Sequence, residues 1–127
     1  MKLWVDDIRQ APEGYKWCRS VNDAIQLIET SEKRVQSLID MGHSCFRNRD
    51  YAGRNACYRH VDRWEIKVID LDHDAGDYAS DGGDYIKLLD WLEETGRSYP
   101  IRIHSMNPVG VENMRRVIER NHWVEVR

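Results

Sequence analysis

The chain has 127 residues, a length that accommodates one folded domain but is too short for two. Hydrophobic residues account for 41% of the sequence and charged residues for 32%, a balance typical of globular rather than disordered proteins. The formal net charge of -3 predicts neither a nucleic-acid coat protein nor an acidic disordered tail.

No targeting or membrane signal is evident in the sequence. Carboxylates appear at Asp6 and Asp7, whereas a secretory signal needs a longer apolar stretch. No window approaches the ~20 apolar residues that span a bilayer. We therefore expect a single cytoplasmic domain over residues 1–127, with its three cysteines reduced and no membrane contact.

Two short apolar runs open the chain and predict strands. The first, Lys2 to Val5, ends in the acidic pair Asp6 and Asp7, and the second begins at Tyr15 and ends at Ser20. Only loop residues separate the two runs. They are too few for the helix that usually connects parallel strands.

A long helix and a segment without clear periodicity follow. Ser20 precedes Asp23 in a weak capping-box pattern, and apolar residues from Ala24 to Ile39 recur at helical spacing, which predicts a helix to about Met41. Residues 42–64 show no clear period and are basic on balance. We expect them to form an insertion, either a loop or a small irregular subdomain.

The insertion suggests two further hypotheses. Its arginines, with Tyr51 and Tyr58, are candidates for contact with a phosphate backbone or with bases, although a charged loop is usually just solvated. It also contains four soft ligands that suit zinc. These ligands are His43, Cys45, Cys57 and His60. The alternative is a flexible loop with half-buried thiols and no metal.

The second half of the chain alternates strands with helices. In chain order the pattern predicts a strand over Glu65 to Leu71, a helix from near Gly83 to Gly96, a strand over Pro100 to His104, a helix capped by Asn107 with Pro108 at its first position, and a last strand over His122 to Val126. Such alternation implies an α/β domain with a parallel sheet and right-handed crossovers.

Three of the predicted strands, the first, third and fourth, end in polar clusters. Because the carboxyl ends of parallel strands share one edge, where ligands bind, the clusters should converge. Gathered carboxylates repel one another, and a divalent cation such as Mg²⁺ or Mn²⁺ removes that conflict. Histidine can act as general acid or base, and a serine and helix-opening N–H groups can hold phosphate oxygens. The residues are Asp6 and Asp7, then Asp72, His73 and Asp74, then His104, Ser105 and Asn107.

Each of these residues also has a plainer explanation. Acids at strand ends can simply be solvated, and Asp74 can form a turn or support a ligand without contacting a metal. His73 and His104 can be structural histidines bonded to a carboxylate. Asn107 is a helix cap whatever else it does.

The motifs in this order resemble the receiver domain of response regulators. LWVDD, YKWCRSVNDAIQLI, EIKVIDLDHDAG with DGGDYIKLLDWL, and PIRIHS are similar to the receiver's first four strands and their flanks. The resemblance implies a three-layer α/β fold with a parallel five-stranded sheet of order 2-1-3-4-5. Here the first and last receiver helices are missing, and the insertion precedes the third strand. No lysine stands at the end of the last strand, where receivers hold the phosphoryl group.

Three motifs, DDIRQAP, LDHDAG and HSMNPVGVENM, are similar to a narrower family, the cyclic-phosphate processing receivers. That family is associated with nucleic-acid repair and with hydrolysis of cyclic phosphate ends. By position, the resemblance implies catalytic roles for Asp72, His73, His104 and Arg9, phosphate contacts from Ser105 and Asn107, and metal ligation by Asp6, Asp7, Asp72 and Asp74.

Two functions remain open at this point. One is a metal-dependent phosphoesterase that acts on a cyclic phosphate, at a nucleic-acid end such as that of RNA or in a cyclic nucleotide. The other is a non-catalytic module that captures a phosphorylated ligand or a protein partner in the same cleft. The missing helices would leave apolar sheet surface for a partner or a second copy, so a homodimer is also expected.

Overall fold

Four short strands and four α-helices make up the structure, a computed structural model that describes residues 1–127. In chain order they are β1 (Lys2–Val5), β2 (Tyr15–Cys18), α1 (Val21–Arg47), α2 (Tyr51–Trp64), β3 (Val68–Leu71), α3 (Ile86–Glu94), β4 (Ile101–Ile103) and α4 (Pro108–Arg120), with a 3₁₀-helix (Gly76–Ser80) between β3 and α3. The strands form one parallel sheet in the order β2-β1-β3-β4, which confirms a receiver-like α/β fold.

The expected fifth strand over residues 122–126 is wrong. This segment makes a single parallel bridge, between Glu125 and Ile101, in which the Ile101 N–H donates to Val124 and the Val126 N–H donates to Ile101. His122 has a φ of 57°, so the chain is still turning where the strand was expected to begin. The sheet therefore has four strands, and the last residues extend it by one contact only.

The expected three-layer arrangement is also wrong, because the helices pack on one face of the sheet only. Leu3, Ile69 and Ile101 on that face share one buried cluster with apolar residues of α1, α3 and α4. The connections from β2 to β3 and from β3 to β4 cross the sheet in the same direction. Right-handed crossovers in one direction place their helices on the same face. The step in the other direction, from β1 to β2, has no helix.

The second face of the sheet is covered by large and polar side chains. Side chains alternate along each strand, so Trp4 on β1 lies beside Trp17 on β2 and Asp70 on β3. The Trp4 ring contacts Tyr15 edge-on, with their centroids 5.9 Å apart. We call this surface the tryptophan face. The homodimer, which was expected because no helix covers this face of the sheet, stays a prediction.

The expected irregular insertion over residues 42–64 is instead a helical hairpin. Helix α1 continues to Arg47, and α2 begins at Tyr51, where the Asp50 side chain caps it by accepting from the Gly53 N–H at 2.9 Å. The Ser31 hydroxyl donates to the Trp64 carbonyl, so α2 returns to α1 at that point. Although α1 has 27 residues, neither it nor any other helix is apolar enough over a long enough stretch to cross a membrane.

The hairpin extends beyond the amino-terminal edge of the sheet. Ser31 and Val35 of α1 lie beside Ile66, which precedes β3, and Tyr99, which precedes β4. Since the strands begin there, the rest of α1 and most of α2 project away from the sheet. We call residues 36–64 the arm. The polar clusters at the carboxyl ends of the strands lie at the opposite end of the domain.

Candidate functional site

Three carboxylates meet at the carboxyl-terminal edge of the sheet. Asp6 and Asp7 follow β1, and Asp72 follows β3, its neighbour in the sheet. One oxygen from each of the three carboxylates lies within 4.8 Å of the other two. The parallel pairing of β1 with β3 is the cause, because it ends both strands at the same level.

Asp6 is held in one orientation by its hydrogen bonds. Its side chain is almost fully buried; Oδ1 accepts from the backbone N–H groups of Ile8 at 2.9 Å and Arg9 at 2.8 Å. Its Oδ2 lies 2.9 Å from His104 Nε2. Burial raises the pKa of the Asp6 carboxyl, but these N–H groups and His104 lower it by more, so that the pKa lies below its ordinary value. Asp6 is therefore ionised at neutral pH.

Asp7 has a different electrostatic environment. Burial, and then the negative charges of Asp6 and Asp72, raise the pKa of the Asp7 carboxyl. Asp7 also lies against the backbone at Gly76, where an added Cβ would come within 2.3 Å of Asp7 Oδ2. A bound cation would reduce the repulsion between these negative charges. The three carboxylates offer only oxygen donors, which fits Mg²⁺ or Mn²⁺.

The structure adds Asp70, which the sequence reasoning missed. Asp70 lies within β3 and is fully buried; its Oδ1 is 2.6 Å from His104 Nδ1, and its Oδ2 accepts from Arg102 Nη1 at 3.1 Å. The His104 ring therefore has a carboxylate at each nitrogen, Asp70 at one and Asp6 at the other. A neutral imidazole has one N–H and can donate to only one of them, whereas the imidazolium satisfies both.

The position of His104 is further restricted by an aromatic neighbour. Its ring stacks on Trp4 with centroids 3.7 Å apart and planes 3° apart.

The signal that could have identified Asp70 is strand alternation, because Asp70, Arg102 and His104 all fall on the tryptophan face. A polar residue at such a position is usually solvent-exposed, and Asp70 is buried because its two partners flank it.

A second group of side chains lies between β3 and α4. His73 Nδ1 is 2.9 Å from Asp74 Oδ1, and Asn107 Nδ2 is 3.5 Å from Asp74 Oδ2. Asn107 also caps α4 by accepting from the Gly110 N–H at 3.0 Å. The His73 ring packs directly on Gly110, where an added Cβ would be 2.4 Å from His73 Cγ. Asp74 is thus bonded to His73 and lies outside the group formed by Asp6, Asp7 and Asp72.

The remaining candidates, Arg9 and Ser105, line one open groove of about 330 Å³ together with residues of both groups above. Arg9 Nη1 donates to the His104 carbonyl at 2.9 Å, which holds the guanidinium over this edge of the sheet. Ser105 Oγ accepts from the Asn107 N–H at 3.1 Å, inside the turn that leads into α4. The lining residues are Arg9, Asp72, Asp74, Ser105, Met106 and Asn107.

The loop that follows β1 is fastened to the tryptophan face. The Trp17 indole N–H donates to the Asp6 carbonyl at 2.8 Å, and the Trp4 indole N–H donates to the Arg9 carbonyl at 2.9 Å. Both bonds hold the backbone between Asp6 and Arg9. This loop therefore has fixed anchors although no helix connects β1 to β2.

The four residues suggested for zinc do not form a ligand group. His43 and Cys45 are on α1, and Cys57 and His60 are on α2; both histidines are exposed and Cys57 is buried. No three of them bring their ligand atoms as close together as the three carboxylates do.

Comparison with known proteins identifies one family. The model of the cyclic-phosphate processing receiver domain matches residues 1–55 and 43–120, and the two segments overlap within the helical hairpin. No curated protein and no solved structure matches the chain. The matched segments together cover most of the sequence and include every residue of the carboxylate group and the groove. The chain therefore belongs to the family of cyclic-phosphate processing receiver domains.

Proposed function

We propose that this domain is a metal-dependent phosphoesterase that opens cyclic phosphates, in cyclic nucleotides or at RNA ends. The family description supports a part in cyclic-phosphate processing. The observation that carries the catalytic proposal is the meeting of three carboxylates beside a groove that also contains an arginine. This combination suits an anionic ligand bound through a cation.

Asp6, Asp7 and Asp72 would hold the divalent cation. Such an ion polarises a phosphoryl oxygen and lowers the pKa of bound water. The raised pKa of Asp7 is consistent with this role, because its cause is partly the charge that a cation would neutralise.

Arg9 and His73 would act on the substrate directly. Arg9 lines the groove and would neutralise the negative charge that develops on the phosphate. His73 would transfer protons through its second ring nitrogen, because its Nδ1 is bound to Asp74, which lines the groove. Water adds to phosphorus, one ring P–O bond breaks, and the proton from water ends on the released hydroxyl oxygen.

His104 fits a positioning role better than proton transfer. Both of its ring nitrogens lie within hydrogen-bond distance of buried carboxylates. A ring in this arrangement orients Asp6 Oδ2 and has no free nitrogen for the substrate. Ser105 and the N–H groups that open α4 remain candidates for binding phosphate oxygens.

The test is incubation with a 2′,3′-cyclic nucleotide and with an RNA oligonucleotide ending in a 2′,3′-cyclic phosphate. Each is measured with Mn²⁺, with Mg²⁺ and with a chelator. We expect a phosphomonoester product that requires metal and is lost in Asp72→Asn. Asp40→Asn, which removes an exposed carboxylate on the arm, is the matched control and should keep full activity.

Two results would contradict the proposal. Full activity of Asp72→Asn would remove Asp72 from the reaction. Metal-dependent binding of the cyclic phosphate without any product would instead identify the non-catalytic module, which captures the ligand at the same groove.

A further inference from the structure

The arginines of the arm lack carboxylate partners, whereas six of the nine arginines outside the arm have one. Every arginine after residue 96 pairs with a carboxylate; they are Arg97, Arg102, Arg115, Arg116, Arg120 and Arg127. None of the five arginines of the arm forms such an ion pair, and four of them are exposed; the five are Arg47, Arg49, Arg54, Arg59 and Arg63.

The aspartates of the arm do not compensate for these charges. Asp40 accepts from Gln36, Asp50 caps α2, and Asp62 pairs with Lys67 at 3.1 Å. Five arginines against three aspartates leave the arm positive, although the whole chain carries a net charge of -3. The arm is therefore a basic projection from an acidic body.

Exposed aromatic rings are also confined to the arm. Three aromatic residues are exposed, namely Phe46 at 53%, Tyr51 at 51% and Tyr58 at 41%. Phe46 and Tyr51 contact edge-on at 6.0 Å, and the Arg54 guanidinium lies 5.4 Å from the centre of each ring. Tyr58, Arg59 and Arg63 line a shallow groove along α2.

The packing between the two helices holds these side chains in place. Gly42 allows the Tyr58 ring to lie against α1, where an added Cβ would be 2.8 Å from the ring. Gly53 allows α2 to approach Cys45, whose Sγ would be 3.0 Å from an added Cβ. The rings and guanidinium groups are thus carried on two closely packed helices.

We propose that the arm binds single-stranded nucleic acid, with its arginines on phosphates and its exposed rings stacked on bases. Unpaired guanidinium groups supply the attraction to a polyanion. Exposed rings add affinity when unpaired bases offer their faces, as in proteins that bind single strands without sequence preference. An acidic protein surface would use the arginines but would leave the rings without partners. The arm lies at the opposite end of the sheet from the groove, so this binding is independent of the proposed phosphoesterase activity.

The test is fluorescence anisotropy with fluorescein-labelled polyuridylate and polythymidylate of about 20 nucleotides each. If three phosphates are contacted, affinity should fall about 20-fold between roughly 50 and 200 mM salt. The triple variant Arg47→Gln, Arg49→Gln, Arg59→Gln should abolish most of this binding and most of its salt dependence. Comparison of the two probes shows whether RNA and DNA are bound equally.

Two further variants separate the arm from general charge effects. Arg116→Gln, Arg120→Gln, Arg127→Gln removes the same charge from paired arginines outside the arm, and it should bind like the wild type. Tyr51→Leu keeps the charge and removes a ring, and it should weaken binding about fivefold or more. Circular dichroism checks that each variant keeps its helices.

Three results would overturn the proposal. One is absence of binding at low salt, and another is equal loss in the two triple variants. The third is competition by polyglutamate as effective as that by polyuridylate, together with unchanged affinity in Tyr51→Leu. This last result would identify an acidic protein as the partner.

Discussion

Replacement of Gly110 by alanine tests the position of His73 against α4. Gly110 has an ordinary helical conformation, so alanine by itself should stabilise the helix by about 0.5–1 kcal/mol. The new Cβ would, however, lie 2.4 Å from His73 Cγ and 2.5 Å from Cδ2. Atoms this close to the base of the ring force the whole ring to move. Overpacking of this kind costs about 1–3 kcal/mol, so we expect a net destabilisation of up to about 2 kcal/mol in urea unfolding.

A double-mutant cycle isolates the contact. In a His73→Ala background the ring is absent, and Gly110→Ala should then stabilise the domain by the helix contribution alone. The expected coupling between the two sites is therefore about 1–3 kcal/mol. If Gly110→Ala stabilises both backgrounds equally, the His73 ring does not pack on α4 as the structure describes. In Gly110→Ala with His73 present, the displaced ring should lose its contact with Asp74. This loss should appear as a changed chemical shift of the His73 ring.

Three further predictions follow from the structure. Asp70→Asn removes the charge of the buried carboxylate between His104 and Arg102 and should lower the free energy of unfolding by about 2 kcal/mol in urea, and unchanged stability would contradict the pairing. Gly76→Ala should destabilise the domain by at least about 1 kcal/mol, because residue 76 has a φ of 53° and an added Cβ would meet Asp7; a neutral effect in the same assay would refute this. Burial raises the pKa of Glu32, but the hydrogen bonds from Arg97 and Tyr99 lower it by more, to below 4.5. Glu32→Gln should therefore be less stable than wild type above pH 4.5, and the difference should disappear as the pH falls through the lowered pKa of Glu32. A difference that persists in acid would rule out the charge as its source.

The proximity of the strand-end acids could be predicted because it depends on topology. Parallel strands end at one edge, so residues after β1 and β3 meet whatever the details of packing. Asp6, Asp7 and Asp72 show this proximity, while their roles stay predictions. Asp70 could not be found in the same way. Its burial depends on Arg102 and His104, and no local pattern shows that both lie beside it.

The arm could not be predicted because its interior is made of small and polarisable residues. The contact between α1 and α2 contains Gly42, Cys45 and Cys57. Helices are recognised in a sequence by the regular spacing of large aliphatic side chains, which these residues do not provide. Glycine also has low helix propensity, which favours interpretation as a loop. The close helix contact that glycine permits is visible only in three dimensions.

The resemblance to receivers led to the wrong prediction of three layers, where the domain has two: one sheet and one layer of helices. A receiver has helices on both faces, and the resemblance carried that expectation over although the segment between β1 and β2 is too short for a helix. The direction of the remaining crossovers, which places α1, α3 and α4 together, follows only from the strand order.

The two indole anchors have a consequence for how relatives of this domain can diverge. Trp17 and Trp4 hold the backbone at Asp6 and Arg9. Two side chains on the tryptophan face therefore determine the path of the segment that leads to the groove. A homologue that loses either indole must support that segment by other means. We expect substitutions at these two aromatic positions to be accompanied by changes of length or composition between β1 and β2, so that the two features vary together across the lineage.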